Sequence, residues 1–150
     1  MNFENFSLDS RLWLYQTNRP LSATEISWAQ EKLDAFTAEW TAHGAQLKAG
    51  SRVLNPYFVA IAVDLTQANA SGCSIDASVR FLKSLGEELD VDFFNRTKIV
   101  LESEAGEQRL VPFRELANYP NEWVYNPLVD TLGKLNSAFK VKVHESALVP

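Results

Sequence analysis

The sequence is poor in the residues that build metal centres and disulfides. Its 150 residues include one cysteine, Cys73, and two histidines, His43 and His144. A single cysteine excludes an internal disulfide and any zinc site that needs several cysteines. The two histidines and Cys73 lie far apart and show no ligand spacing such as H-x-x-x-H. The sequence therefore predicts no metal, and no motif in it indicates a cofactor.

Positive charge is also scarce. Lys and Arg total 14 against 19 Asp and Glu, so the net charge is −5. Nucleic acids and anionic membrane surfaces attract clustered positive charge, and neither is predicted as a partner. No apolar run approaches the roughly 20 residues of a membrane span. Residues Met1–Ser10 lack the basic-then-apolar layout of a secretory signal, and we expect a cytoplasmic protein.

What the chain does have is enough apolar material for a core. Hydrophobic residues make up 46% of the sequence, and a chain of this length buries about 68–70% of its unfolded surface. It contains no repeat, low-complexity tract or long linker. We expect residues 1–150 to form a single domain.

Periodicity and turn signals divide the chain into alternating strands and helices. One predicted helix starts at the capping box Ser22–Glu25, ends at His43-Gly44 and has His43 as its C-cap. A second follows the loop Leu65–Gly72. Strands are predicted over Arg11–Asn18, Gln46–Leu54 (at an edge), Tyr57–Val63 (central), Thr97–Ser103 and its hairpin partner Gln108–Val111. Short helices over Pro112–Tyr119 and Thr131–Phe139 and a short strand Val141–His144 complete the prediction.

This order predicts an α+β fold with a ferredoxin-like βαββαβ core. Two helices would cover one face of an antiparallel sheet, followed by an extra C-terminal hairpin and a helical tail. Right-handed crossovers would make the first and third strands parallel neighbours. The first strand is apolar on both faces, which predicts that its far face is covered by the Pro112–Pro150 region or by a homodimer partner.

Parallel central strands would bring the loops Gln16–Leu21 and Asp64–Asp76 to one sheet edge. Both helix N-termini would then open onto the same spot and attract a small anionic ligand. Arg19 would add a bidentate donor, and the serines and glycine of the other loop would add hydroxyls and a close backbone approach. The predicted ligand-binding residues are Arg19, Asp64, Ser71, Gly72, Ser74 and Asp76.

Cys73 offers a different function. A thiol at a helix start can have a lowered pKa and act as a catalytic nucleophile or a redox sensor. The more typical interpretation of this segment is structural, with Ser71 or Ser74 as an N-cap and Cys73 as a small core residue. A thiol phosphatase is excluded, because Arg80 lies one position too late for the Cys-x5-Arg loop. His43, at the far end of a helix about 27 Å long, is expected to be too distant from the loop that starts it to serve as a base.

Two further points concern catalysis. Asp64, at the end of the central strand, is either a general base or, more typically, an anchor for the following turn. ATP hydrolysis by a P-loop is excluded, since the one Gly-Lys pair, Gly133-Lys134, is followed by Leu135 and has no glycine five positions before it.

Several strings in the chain resemble a family of small bacterial proteins commonly labelled "ABC transporter ATPase". They are Trp13–Leu21 (WLYQTNRPL), Trp40–Gly44 (WTAHG), Val63-Asp64, Ala70–Val79 (ASGCSIDASV) and Asn126–Val129 (NPLV). The resemblance covers most of the chain and implies that the Cys73 segment is the family's hallmark. The family label does not fit a chain without a Walker motif, and the resemblance implies no particular reaction.

The sequence thus favours a small binding or interaction module for an anionic ligand. The alternatives are a thiol-dependent enzyme or redox sensor using Cys73, and a purely structural partner of a larger assembly.

Overall fold

The computed structural model describes residues 3–149, which form an α+β fold. The α-helices are α1 (Ala23–Glu39), α2 (Gly72–Leu89) and α3 (Leu132–Ala138). The strands are β1 (Arg11–Gln16), β2 (Thr41–Ala42), β3 (Ala45–Gln46), β4 (Lys48–Leu54), β5 (Phe58–Asp64), β6 (Lys98–Glu102), β7 (Gln108–Pro112), β8 (Trp123–Tyr125) and β9 (Lys140–Lys142). Short 3-10 helices cover Asn55–Tyr57, Phe113–Asn118 and Val143–Glu145.

The first sheet has the strand order β1-β5-β4. All seven residues of β5 are buried, which confirms the prediction that the most apolar run of the chain is a central strand. β4 lies at an edge of the sheet, as predicted. The helices α1 and α2 pack on one face, where Leu33, Ile61 and Leu82 belong to one buried cluster.

The predicted parallel pairing of the first and third strands is wrong. β1 and β5 are antiparallel, with Arg11 opposite Val63 and Gln16 opposite Phe58. The crossover through α1 connects β1 to β4, and β5 is inserted between these two strands and antiparallel to both. The parallel relation produced by the crossover therefore holds between β1 and β4, which are not neighbours.

The predicted fourth strand of this sheet is also displaced, so the complete ferredoxin-like sheet is not formed. After α2 the chain touches the outer edge of β1 at a single bridge, Gln16 with Phe94. The side chain of Asn95 then accepts a hydrogen bond from the Thr97 backbone N–H, and this turn directs the chain away from β1. The following strand, β6, belongs to a second, four-stranded sheet of order β7-β6-β8-β9. Within it the predicted β6–β7 hairpin is confirmed.

The far face of the first sheet is covered by the chain itself. Leu12, Ala60 and Ala62 form a buried cluster with Val129 and Leu132. This confirms the first of the two predicted alternatives, coverage by the C-terminal region. Phe58 then joins the two sheets, because its side chain is fully buried in a cluster with Val100 of β6 and Tyr125 of β8.

The end of α1 differs from the prediction. The N-terminal capping box of Ser22 and Glu25 is confirmed, but the helix stops at Glu39 and Trp40 is the C-cap. His43 and Gly44 form the turn of the β2–β3 hairpin, with φ angles of 51° and 79°. Positive φ at both central residues is the geometry of a two-residue hairpin turn, and the prediction of His43 as a C-cap is wrong.

Candidate functional site

Arg19 lies at the C-terminal end of α2. Its guanidinium donates to the carbonyl oxygens of Leu89 at 2.6 Å and of Asp90 at 3.4 Å. It also forms a bidentate ion pair with Glu25, the residue that completes the capping box of α1. Hydrogen bonds from Arg19 and from the Ser22 backbone lower the pKa of Glu25 to about 2. The donors of Arg19 therefore tie the start of α1 to the end of α2.

The shared anion site predicted from sequence is not formed. At the other end of the helix pair, the Trp40 indole N–H donates to the Ser74 carbonyl in the first turn of α2 at 2.8 Å. The two helices therefore run in opposite directions, and their N-termini lie at opposite ends of the sheet. Arg19 and Cys73 are separated by the 18 residues of α2, or about 27 Å. The cause is the antiparallel pairing of β1 and β5.

The Ser71–Asp76 segment forms the start of α2. Ser71 is the N-cap and accepts from the Ser74 backbone N–H, while Ser74 Oγ accepts from the Ser71 N–H and donates to the Ser71 carbonyl. Both hydroxyls are thus engaged within the cap. Cys73 is exposed, so it is not a core residue, and Asp76 is exposed on the next turn.

Gly72 makes no close contact. A Cβ built on it meets no atom within 4 Å, whereas a Cβ on Gly86 of the same helix lies 2.5 Å from the Val91 carbonyl oxygen. We expect Gly86→Ala to lower the free energy of unfolding by about 1–3 kcal/mol, because backbone must move. The matched change Gly72→Ala should raise it by up to about 1 kcal/mol through helix propensity. Urea unfolding of both variants measures the difference, and equal effects would contradict the close packing of Gly86.

The structure brings His43 to Cys73. The β2–β3 turn lies at the C-terminal end of α1, and that end meets the start of α2. His43, Glu39 and Trp40 line a depression of about 540 Å³ together with Cys73 and Ser71. The prediction that His43 lies too far from Cys73 is wrong, because α1 and α2 run in opposite directions and the end of α1 meets the start of α2.

Asp64 is a buried loop anchor. Its carboxylate accepts hydrogen bonds from the backbone N–H groups of Ser7 and Thr66 and from the Thr66 hydroxyl, and Lys48 lies 3.3 Å away. These backbone and hydroxyl donors, with Lys48, hold its pKa well below the ordinary value. A carboxylate held ionised by four partners supports the anchor role over that of a general base.

A second cavity, which the sequence analysis did not find, follows the outer edge of β1. We call it the β1 groove, and its volume is about 470 Å³. It is lined by Leu12, Trp13, Leu14, Tyr15, Gln16, Phe93, Phe94, Asn95, Arg96, Lys98, Ile99, Phe113, Pro127, Leu128 and Leu148. Two of its apolar residues, Phe113 and Leu128, are 40% and 71% exposed. The groove occupies the place beside β1 that the fourth strand of a ferredoxin-like sheet would fill.

Gln16 is a polar residue in the lining of the groove whose side-chain oxygen lacks a hydrogen bond within the described residues. Its side chain is buried, and Nε2 donates to the Lys98 carbonyl at 2.6 Å, which sets the orientation of the amide. Within the described residues its Oε1 has no hydrogen-bond donor. A polar residue directly after the bulky run Leu12–Tyr15 was the signal available in the sequence, but the burial of Gln16 depends on the second sheet.

Among the described residues, the lining of the groove carries positive and no negative charge. The side chains of Arg96 and Lys98 are exposed, and within residues 3–149 neither has an ion-pair partner. The protein as a whole is acidic, with a net charge of −5. The β1 groove is therefore a local positive site beside an apolar wall.

Residues 3–149 contain no group of three or more His, Cys, Asp or Glu side chains placed to hold a metal ion. Across the same residues, none of the helices has the length and apolar character needed to cross a membrane.

The chain was compared with protein-family models, with curated proteins and with solved structures, and none of them matches it. The resemblance to the bacterial family labelled "ABC transporter ATPase" stays a prediction from the sequence strings. Any proposal about function consequently depends on the geometry of the described residues.

Proposed function

We propose that the protein is a binding module whose ligand, a small amphipathic anion, occupies the β1 groove. The observation that carries this proposal is the Gln16 carboxamide, which is buried in the lining of the groove with an acceptor oxygen that no donor of residues 3–149 reaches. An unpaired buried acceptor costs about 1–3 kcal/mol. A ligand that supplies an N–H or O–H donor would recover that free energy on binding.

The rest of the lining supports an anion with an apolar body. Trp13, Phe94 and Leu128 offer apolar surface, and Arg96 and Lys98 offer cations that form no ion pair with another described residue. Ligand sites are typically concave and mostly apolar, with a few polar groups that fix orientation. The proposal keeps the ligand class predicted from sequence and moves its site from the two loops to the edge of β1.

The probe for this proposal is 8-anilinonaphthalene-1-sulfonate, a fluorescent aromatic anion. We expect saturable binding to the folded protein, about tenfold weaker in the double variant Arg96→Gln/Lys98→Gln because two cations are lost. Leu128→Ser should weaken binding by several-fold through the apolar wall. Fluorescence titration measures both, with unfolding curves to verify that each variant is folded.

Matched controls come from exposed residues outside the groove. Arg80→Gln on α2 removes one exposed cation, and Leu65→Ser after β5 makes the same change as Leu128→Ser at an exposed position. These two variants should bind the probe as the unchanged protein does. Equal weakening by groove and control variants, or no saturable binding at all, would overturn the proposal.

A second candidate function is thiol chemistry at Cys73. It is favoured by one observation, the shared depression of exposed Cys73 and His43 at the start of α2. An imidazole within reach of a thiol can act as the base that activates it as a nucleophile. The protein would then act as a redox sensor or a thiol-dependent enzyme, as the sequence analysis allowed.

The rate of alkylation by iodoacetamide near neutral pH tests this candidate. If His43 supports the thiolate, Cys73 should react several-fold faster than free cysteine, and His43→Gln should remove most of that difference. His144→Gln provides the matched control, since His144 lies in the 3-10 helix Val143–Glu145 outside the depression. This candidate would be overturned if Cys73 is alkylated at the rate of free cysteine and His43→Gln does not change that rate.

A further inference from the structure

The open place beside β1 points to a more specific ligand for the β1 groove. We propose that the groove binds the carboxyl-terminal end of another polypeptide, about three residues in extended conformation, as a short added strand. Its backbone would pair with Leu14, and its terminal carboxylate would lie at Arg96 and Lys98. This inference rests on the proposed function, since it assumes that the β1 groove is the binding site.

The backbone of β1 presents unpaired groups to the groove. The Thr17 N–H donates to the Tyr57 carbonyl, so in this antiparallel ladder the odd-numbered residues of β1 bond to β5 and the even-numbered ones face outward. Leu12 and Gln16 follow this rule, because each bonds to a segment outside the sheet. Leu14 lies between them, and no backbone hydrogen bond within residues 3–149 reaches its outward N–H and C=O. A peptide group matches this donor and acceptor, and strand addition uses such an edge.

The two ends of the open place are closed by the chain itself, and this limits the ligand's length. The Leu12 N–H donates to the Asp130 carbonyl at one end, and the Asn95 N–H donates to the Gln16 carbonyl at the other. The four residue steps from Leu12 to Gln16 span about 13 Å. A long continuous strand would have to leave the sheet plane twice, whereas a chain terminus has to pass only one closure. A terminal segment therefore fits this place better than an internal one.

The positive charge in the lining indicates at which end of the groove the carboxyl terminus of the bound peptide would lie. Arg96 and Lys98 belong to the segment next to the Gln16 end of β1, where Asn95 bonds to Gln16 and Gln16 bonds to Lys98. No acidic residue of the described range 3–149 lines the groove, so a carboxylate at this end would meet two cations and no opposing charge from those residues. The bound segment would then run in the same direction as β1. An N–H of its last residues would supply the donor that Gln16 Oε1 lacks.

Three forms of one tripeptide test the inference. They are N-acetyl-Ala-Leu-Val with a free carboxylate, the same peptide with a C-terminal amide, and the free acid with its central amide nitrogen methylated. Each is titrated against the protein carrying 8-anilinonaphthalene-1-sulfonate. We expect the free acid to displace the probe about tenfold more strongly than either analogue, since each analogue loses one charge-assisted or backbone hydrogen bond. In Arg96→Gln/Lys98→Gln the free acid and the amide should bind alike, while Arg80→Gln should preserve the preference.

Amide hydrogen exchange of Leu14 gives a second readout. The free acid should slow exchange at Leu14 by about tenfold at saturation, because the bound strand protects that N–H. Trp13 is the internal control, since its N–H already faces β5, and the probe anion alone should leave the exchange rate of Leu14 unchanged.

The outcomes separate the two proposals. If the probe binds in the groove but no peptide displaces it, the peptide inference fails and the proposed function stands. If the probe itself does not bind there, the proposed function fails. Equal displacement by free acid and amide overturns the assignment of the carboxylate.

Discussion

Phe58→Ala is expected to lower the free energy of unfolding by about 3–5 kcal/mol. The Phe58 side chain is fully buried, and its ring lies 4.9 Å from that of Phe139 and 6.0 Å from that of Tyr125, measured between centroids. Truncation leaves a cavity at the point where β5 meets the second sheet. The lost stability therefore includes the transfer free energy of the removed ring atoms and the lost van der Waals contacts around the cavity. Urea unfolding followed by far-UV circular dichroism measures it.

The same variant tests whether the two sheets unfold together. Because Phe58 contacts both sheets, its loss should lower the stability of the whole domain in one cooperative transition. Leu65→Ala, at a side chain that is 42% exposed, is the control and should change the free energy by less than about 0.5 kcal/mol. A Phe58→Ala transition that splits into two steps, or a loss as small as that of the control, would contradict this account of the core.

Asp64→Asn should be the second most damaging of the changes considered. The amide oxygen of Asn can replace only part of the acceptor capacity that serves Ser7 and Thr66, and the attraction to Lys48 is lost. We expect a loss of roughly 2–3 kcal/mol near neutral pH, typical for hydrogen bonds to a buried charged group. Asp76→Asn makes the matched change at an exposed carboxylate and should cost less than about 0.5 kcal/mol.

The pH dependence of the Asp64→Asn effect has a definite sign. Hydrogen bonds from Thr66 and Ser7 lower the pKa of Asp64 in the folded protein relative to its ordinary value of 3.8. A group with a lowered folded pKa stabilises the fold above its unfolded pKa and loses that contribution as the pH falls. The difference in unfolding free energy between the unchanged protein and Asp64→Asn should thus be constant above about pH 5 and shrink below about pH 4. A difference that grows on acidification would contradict the anchor role.

Local signals in the sequence predicted most of the secondary structure. The capping box Ser22–Glu25, the apolar run of β5 and the turn between β6 and β7 each specify their element through neighbouring residues, and each is confirmed. The turn at His43-Gly44 was predicted as a helix end because both a helix C-cap and a tight hairpin use left-handed residues. Only the strands on either side distinguish the two.

The arrangement of the elements could not be predicted in the same way. The direction of β5 relative to β1 depends on which strand the crossover through α1 reaches, and the departure of β6 depends on the Asn95–Thr97 turn. Both errors affected the site. The first placed Arg19 beside Cys73, and the second hid the β1 groove, whose walls come from segments as distant in sequence as Trp13 and Leu148.

The two hydrogen bonds that close the ends of β1 also bear on self-association. An exposed sheet edge is a template on which further copies of a chain can stack into fibrils. Here the Asp130 carbonyl and the Asn95 N–H each occupy one backbone group, on Leu12 and Gln16, so among residues 3–149 Leu14 is the residue of this edge with both outward groups open. That template is far shorter than the six-residue zippers of amyloid. An edge interrupted in this way can pair with a short peptide but gives no template for the growth of a fibril.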